Sequence, residues 1–282
     1  MAVLAGPVGA ETAPAACDGV VALVTGVVGD LVVPPQAAQD GWCVLDGARS
    51  SGEVRISAEA LRVRGERLDD RLVALEVEGE GLRVAPALNN RDMPGWLRDL
   101  LRLQTADVRV LLRRDDEADL LQVEHCDLTL GDGTRLSLMA TVEGSELDPK
   151  TLPAGRVTDL HFEFRHNGRL FQPIMEALGN GVWENASGSR KTDFGRTRLL
   201  GVVGALNQGA VSEETAGELG RFVRSLPEAR GLLVVNVSSE AGIGAAQLAL
   251  LALAKDPTGP EALERFLAGT QVSASWTPGW TP

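Results

Sequence analysis

From Trp42 to about Val142 the apolar residues recur at every second position, a period that commits the segment to β-strands with one buried and one wetted face. Ile56, Ala58 and Ala60 alternate with Ser57 and Glu59; Val73, Leu75 and Val77 alternate with Ala74 and Glu76; Val108, Val110 and Leu112 alternate with Arg109 and Leu111. Residues 121–130 and 135–142 flank Gly131-Asp132-Gly133, a glycine loop of the kind that reverses two strands, so the sheet is expected to be antiparallel. A further strand is predicted over 157–165, with Asn167-Gly168 turning the chain after it. One helix interrupts this half: Asp92 is placed to cap it, and Trp96, Leu97, Leu100 and Leu101 form its apolar stripe.

After Gly179 the texture changes. Residues 179–195 hold turn formers and almost no apolar period, which reads as a loop between sub-regions. Helices are then expected. Leu199, Val202, Val203 and Leu206 share a face; Ser212 caps a second helix with Glu213 and Glu214 in its first turn, and Pro227 ends it. Residues 231–238 read as an apolar strand, 241–254 as an Ala/Leu helix, Pro260 as the start of a helix burying Leu263, Phe266 and Leu267, and 271–276 as a last strand. The expected organisation is a tail over 1–16, a β-rich region over 17–178, a loop over 179–195 and a mainly helical region over 196–282. Strands first and helices second define an α+β fold: a twisted antiparallel sheet in the N-terminal half, with helices from the C-terminal half packed on one face.

Composition narrows the chemistry. With 27 basic and 39 acidic residues the formal charge is −12, which repels phosphate backbones and argues against nucleic acid as a partner. There is no tyrosine, so no tyrosine acts as acid, base or ligand. Asp18 and Asp30 bracket the longest apolar run, which is too short for a transmembrane span. Residues 1–16 resemble the late part of a secretory signal, with Val8-Gly9-Ala10 followed by Glu11; the alternative is the Ala/Pro-rich tail of a cytoplasmic protein. Cys17 and Cys43 flank an apolar segment that a disulfide would staple in an oxidising compartment, leaving Cys126 as a small buried thiol.

Several motifs imitate reactive sites. The glycine runs at 20–30 and 234–248 look like nucleotide loops, but the first lacks the third glycine and the second lies too near the C-terminus for a following parallel βαβ sheet. No cofactor is therefore expected. His161 with Glu163 and Arg165, and His125 beside Glu124 and Asp127, offer imidazole next to carboxylate, as a hydrolase or metal enzyme would need; alternation places both on a solvated face. The acidic run Arg113–Asp119 lacks calcium-loop spacing and reads as a hairpin tip. Arg190, Lys191, Arg196 and Arg198 near Trp183 form a basic cluster able to meet an anionic head group.

The hairpin LTLGDGTRLSLMATVEG, the strand ending LHFEFRHNGRLFQ and the late ALERFL helix together resemble AsmA-like envelope proteins of Gram-negative bacteria. That resemblance implies an open β-groove, a periplasmic or exported location and a lipid or envelope-protein partner. Combined with the alternation, it makes a non-enzymatic protein holding a lipid or other apolar ligand in a sheet-and-helix groove the expected function. The alternatives are an adaptor whose apolar sheet face meets another protein, and a hydrolase or metal enzyme around His125 and His161.

Overall fold

The computed structural model describes Cys17, Val20, Val21, Thr25 and residues 31–32, 40–45, 47–50, 54–68, 71–86, 93, 95–148, 151, 154–167, 170–179, 188–206, 211–245, 247 and 260–279. Its strands are β1 (Leu31–Val32), β2 (Cys43–Val44), β3 (Arg49–Ser50), β4 (Val54–Ser57), β5 (Ala60–Leu68), β6 (Arg71–Pro86), β7 (Ala106–Asp115), β8 (Leu120–Leu130), β9 (Arg135–Glu143), β10 (Arg156–Asn167), β11 (Arg230–Gly244) and β12 (Thr270–Pro278). Its helices are α1 (Gly95–Leu103), α2 (Phe171–Gly179), α3 (Gly188–Leu206), α4 (Glu213–Ser225) and α5 (Pro260–Phe266). The fold is therefore α+β. Every strand pair is antiparallel, and from β5 to β12 the spatial order repeats the chain order. The long β6 pairs with β5 through its first half and with β4 through its last residues, while β2 extends the sheet beyond β5.

The register explains the alternation. Val63, Val77, Val110, Cys126, Leu138, Phe162, Val235 and Ala274 stand opposite one another from β5 to β12, and directly opposed residues share a face. One apolar row thus crosses the whole meander. The β8–β9 hairpin turns where expected: Gly133 has φ +84, a conformation that a side chain disfavours, and Asp132 Oδ1 accepts the Thr134 N–H at 2.9 Å. The acidic run is a turn as well, with Asp115 Oδ1 accepting the N–H groups of Glu117 and Ala118 at 3.0 Å. Arg114, whose side chain is 9% exposed, ties that turn to the Ser145 carbonyl and to Asp116 and Asp119.

Two core clusters form. The larger joins Phe164, Leu233 and Trp276 of the sheet to Met175 of α2 and to Phe222 and Val223 of α4. Phe222 is its hub, edge-on to Phe164 at 6.3 Å, to Phe171 at 5.8 Å and to Trp276 at 5.0 Å. The second joins Val20 to Leu45, Ala48, Ala58, Leu61 and Val63. The helices α2 and α3 meet backbone to backbone: a Cβ on Gly195 would lie 2.3 Å from the Met175 carbonyl oxygen, and one on Gly179 would lie 2.1 Å from that of Lys191. Helix α4 starts where Ser212 Oγ accepts the Thr215 N–H at 3.2 Å and carries Glu213 and Glu214 at its positive end.

The same helix closes a sheet edge. Outward-facing groups of β12 are taken by α4: Glu218 Oε2 accepts the Trp276 N–H at 2.9 Å, Arg221 donates to the Trp276 carbonyl at 3.4 Å and Thr215 Oγ1 donates to the Val272 carbonyl at 3.3 Å. The Arg221 hydrogen bond, joined by the Trp276 N–H, holds the Glu218 carboxyl below the usual range. An edge occupied in this way is a poor template for another strand.

Four expectations need correction or limits. Helix α3 begins at Gly188, inside the stretch read as a loop, because a polar first turn leaves no apolar period to notice. Helix α2 went unread, its nine residues interrupted by Pro173. Ala241–Gly244 belong to β11 and not to a helix, since Gly244 and Ile243 pair with Arg156 and Val157. The strands expected over 231–238 and 271–276 are present as β11 and β12, each longer than read. Residues 1–16, Asp92, Gly168, Trp183 and residues 248–259 lie outside the described residues.

Candidate functional site

The apolar face carries two separate core clusters. One core cluster occupies β10–β12 with α2 and α4, and the other occupies β5 and the residues around it. Among the described residues, neither cluster includes Val108, Val110 and Leu112 of β7 or Val123, Cys126 and Leu128 of β8. These six side chains remain partly accessible, and they lie between the clusters. Cys126 sits at the centre of this strip, opposite Val110 on one side and Leu138 on the other. Burial, and then the neighbouring Asp127 charge, pushes its thiol pKa up, so it is a poor nucleophile.

The opposite face is wet and, over β5–β9, self-neutralising. Arg62, Glu78, Arg109, Asp127 and Ser137 stand opposite one another in sequence across five strands. Beside them the buried Glu76 receives Arg64 Nε at 2.7 Å and Arg109 at 3.2 Å. Burial works against its charge, but the two arginine hydrogen bonds prevail and hold its pKa below the usual carboxylate range. Trp42 lies under the guanidinium groups of Arg62 and Arg64, 5.0 and 4.5 Å from their carbons.

The residues singled out in the sequence fall in four places. Cys17 and Cys43 form a disulfide with Cα atoms 5.6 Å apart, inside the range such a bond requires. Arg190 is exposed in the first turn of α3, but Arg196 is committed to structure, donating to the Leu226 carbonyl at 3.1 and 2.8 Å and to Asp193 at 2.8 Å. Arg198 likewise donates to the Leu178 carbonyl at 3.0 Å, and Lys191 is half-buried where α3 meets Gly179, so the basic cluster is dispersed along a helix. His161 lies on the wet face of β10, with Nδ1 2.6 Å from Asn236 Oδ1 and Nε2 3.4 Å from Glu163. His125 sits exposed in the β8 bulge, two strands away; at about 4.8 Å per strand the backbones are roughly 10 Å apart. Among the described residues no group of three or more His, Cys, Asp or Glu is arranged to hold a metal. The glycines at 242 and 244 lie on a strand antiparallel to both neighbours, without the parallel βαβ unit that a dinucleotide needs.

One residue escaped notice. His166 is fully buried, stacked with Phe164 at 5.5 Å and edge-on to Phe171 at 4.9 Å. Burial pushes its pKa below the ordinary value, against the pull of the Ala229 backbone and the Asp132 charge, so the ring is neutral near pH 7. The signal was present: position 166 continues the parity of Leu160, Phe162 and Phe164.

No family model, no curated protein and no solved structure matches this chain. Among the described residues no helix is long and apolar enough to cross a membrane, which leaves strand-built spans untouched.

Proposed function

We propose that this is a non-enzymatic, exported envelope protein that holds a lipid chain or comparable apolar ligand along its sheet, with the helices packed on that same face. The observation that carries the reading is the strip on β7 and β8, where Val108, Val110, Leu112, Val123, Cys126 and Leu128 stay partly accessible and belong to neither core cluster. Apolar area left in water costs about 25 cal/mol per Å2, so a strip of this kind gains by being covered. The disulfide supports export, because such bonds persist in oxidising compartments.

The test is native mass spectrometry of the full chain purified from a periplasm without detergent. The reading expects a lipid-sized adduct that Val110→Asn and Leu128→Asn each remove while circular dichroism stays that of the parent. A bare mass that takes up no long-chain fatty acid on incubation overturns it, as does co-purification of a stoichiometric protein partner on this face, which would make the chain an adaptor.

A further inference from the structure

The wet face changes character halfway across the sheet. Over β5–β9 its charges are paired in the ladder described above, but towards β12 the charges thin out. Met139, His161, Asn236 and Ser273 stand opposite one another from β9 to β12. Two positions along the strands, Gln122, Thr141, Asp159, Ser238 and Gln271 form a second row from β8 to β12. Both rows line one trough of about 600 Å3, a size that suits a small ligand.

Three features of the trough bear on its occupant. First, most of its polar groups are neutral or paired: Glu124 at its rim is paired with Arg113 at 2.9 Å and Glu163 below it with Arg165 at 3.4 Å, which leaves the exposed Asp159 carboxylate as an acceptor facing a ligand, with no cation beside it among the described residues. Second, its floor is partly ordered in advance. The His161 ring is fixed by Asn236 at 2.6 Å, and Asn236 Nδ2 donates to Ser273 Oγ at 3.4 Å. Around this chain the side chains of Gln122, Thr141, Ser238 and Gln271 have no hydrogen-bond partner among the described residues, so their amides and hydroxyls are open to a ligand in both senses, donor and acceptor. Third, Met139 is 39% exposed at the middle of the floor, an apolar platform within a polar rim.

We infer that the trough binds an uncharged linear oligosaccharide laid across the strands. A sugar offers hydroxyls that donate and accept, together with a C–H face, which matches amide and hydroxyl side chains around a methionine and an imidazole. The spacing agrees: strands lie about 4.8 Å apart, close to the length of one pyranose ring, so each strand from β8 to β12 presents its side chains to successive rings. An extended peptide is disfavoured, because β9, β10 and β11 are paired on both sides and have no backbone groups left for strand addition. A polyanion finds no cation to pair with and meets the Asp159 carboxylate, and a polycation finds that single carboxylate alone among the described unpaired groups of the trough. The site is on the face opposite the apolar strip, so either reading stands or falls without the other.

The experiment is a titration of the isotope-labelled full chain with cellotetraose, chitotetraose and maltotetraose, followed by amide chemical shifts. At least one should perturb residues of β9–β12 at millimolar concentration or below. Asn236→Ala and Gln271→Ala, both at exposed positions, should each weaken that binding about tenfold or more, while Arg62→Ala on the charged half leaves it within twofold. Silence with all three sugars overturns the inference. So does binding indifferent to both trough variants, or binding that weakens steeply with salt.

Discussion

Replacing Cys17 and Cys43 together by serine removes a cross-link between residues separated by 26 positions. Closing a loop of that length restricts the unfolded chain, and the chain-entropy relation gives about 3.5 kcal/mol of stabilisation at 25 °C. The link also sets Val20 against Val63 and Leu61 in the smaller core cluster, so its loss should act first on the β5 end of the sheet. Urea unfolding followed by tryptophan fluorescence measures the difference. With m-values of about 1–3 kcal/mol per molar urea, the midpoint should fall by more than 1 M. Because Trp42 lies on the β2 side and Trp276 inside the larger cluster, variants retaining a single one of these tryptophans should report which end loosens. A midpoint within about 0.2 M of the parent would refute the reasoning, since it would mean that the bond constrains nothing the fold does not already hold.

Three further outcomes follow from particular contacts. Gly195→Ala places a Cβ against the Met175 carbonyl and should destabilise by about 2 kcal/mol or more in thermal unfolding, whereas Gly201→Ala on the same helix, with open space around it, should stabilise by roughly 0.5–1 kcal/mol. His166 has a lowered folded pKa, so the unfolded chain binds the extra proton: stability is fully present above about pH 6.5 and is lost as pH falls from there towards the folded value. His166→Phe should flatten that acid slope of the unfolding free energy. Glu218→Ala frees the Trp276 N–H on the outer edge of β12 and should raise concentration-dependent self-association seen by light scattering, with little change in the monomer spectrum.

The parts of the fold that were legible in the sequence are those encoded locally. The β8–β9 hairpin is written in Gly131-Asp132-Gly133 between alternating runs, the start of α4 in Ser212 before two glutamates, and the disulfide in two cysteines flanking an apolar segment. What was illegible depends on distant partners. Ala241–Gly244 look like the start of a helix until Arg156 and Val157 pair with Gly244 and Ile243, and Gly188–Lys191 look like a loop until the α3 backbone packs on Met175. The polar trough was hidden for the same reason: Met139, His161, Asn236 and Ser273 become neighbours through register, which no local spacing reveals. His166 was the exception, readable from parity alone.

The central claim is that the strip over β7 and β8 is open to an apolar ligand, and Cys126 at its centre reports on it directly, because the other two cysteines are joined to each other. The measurement is the rate of maleimide labelling of the native chain at mildly alkaline pH, with and without a saturated long-chain fatty acid. The account predicts steady labelling of the folded protein that the fatty acid slows severalfold, with no effect once the chain is unfolded. Labelling that requires unfolding, or a native rate that the fatty acid leaves unchanged, would contradict it.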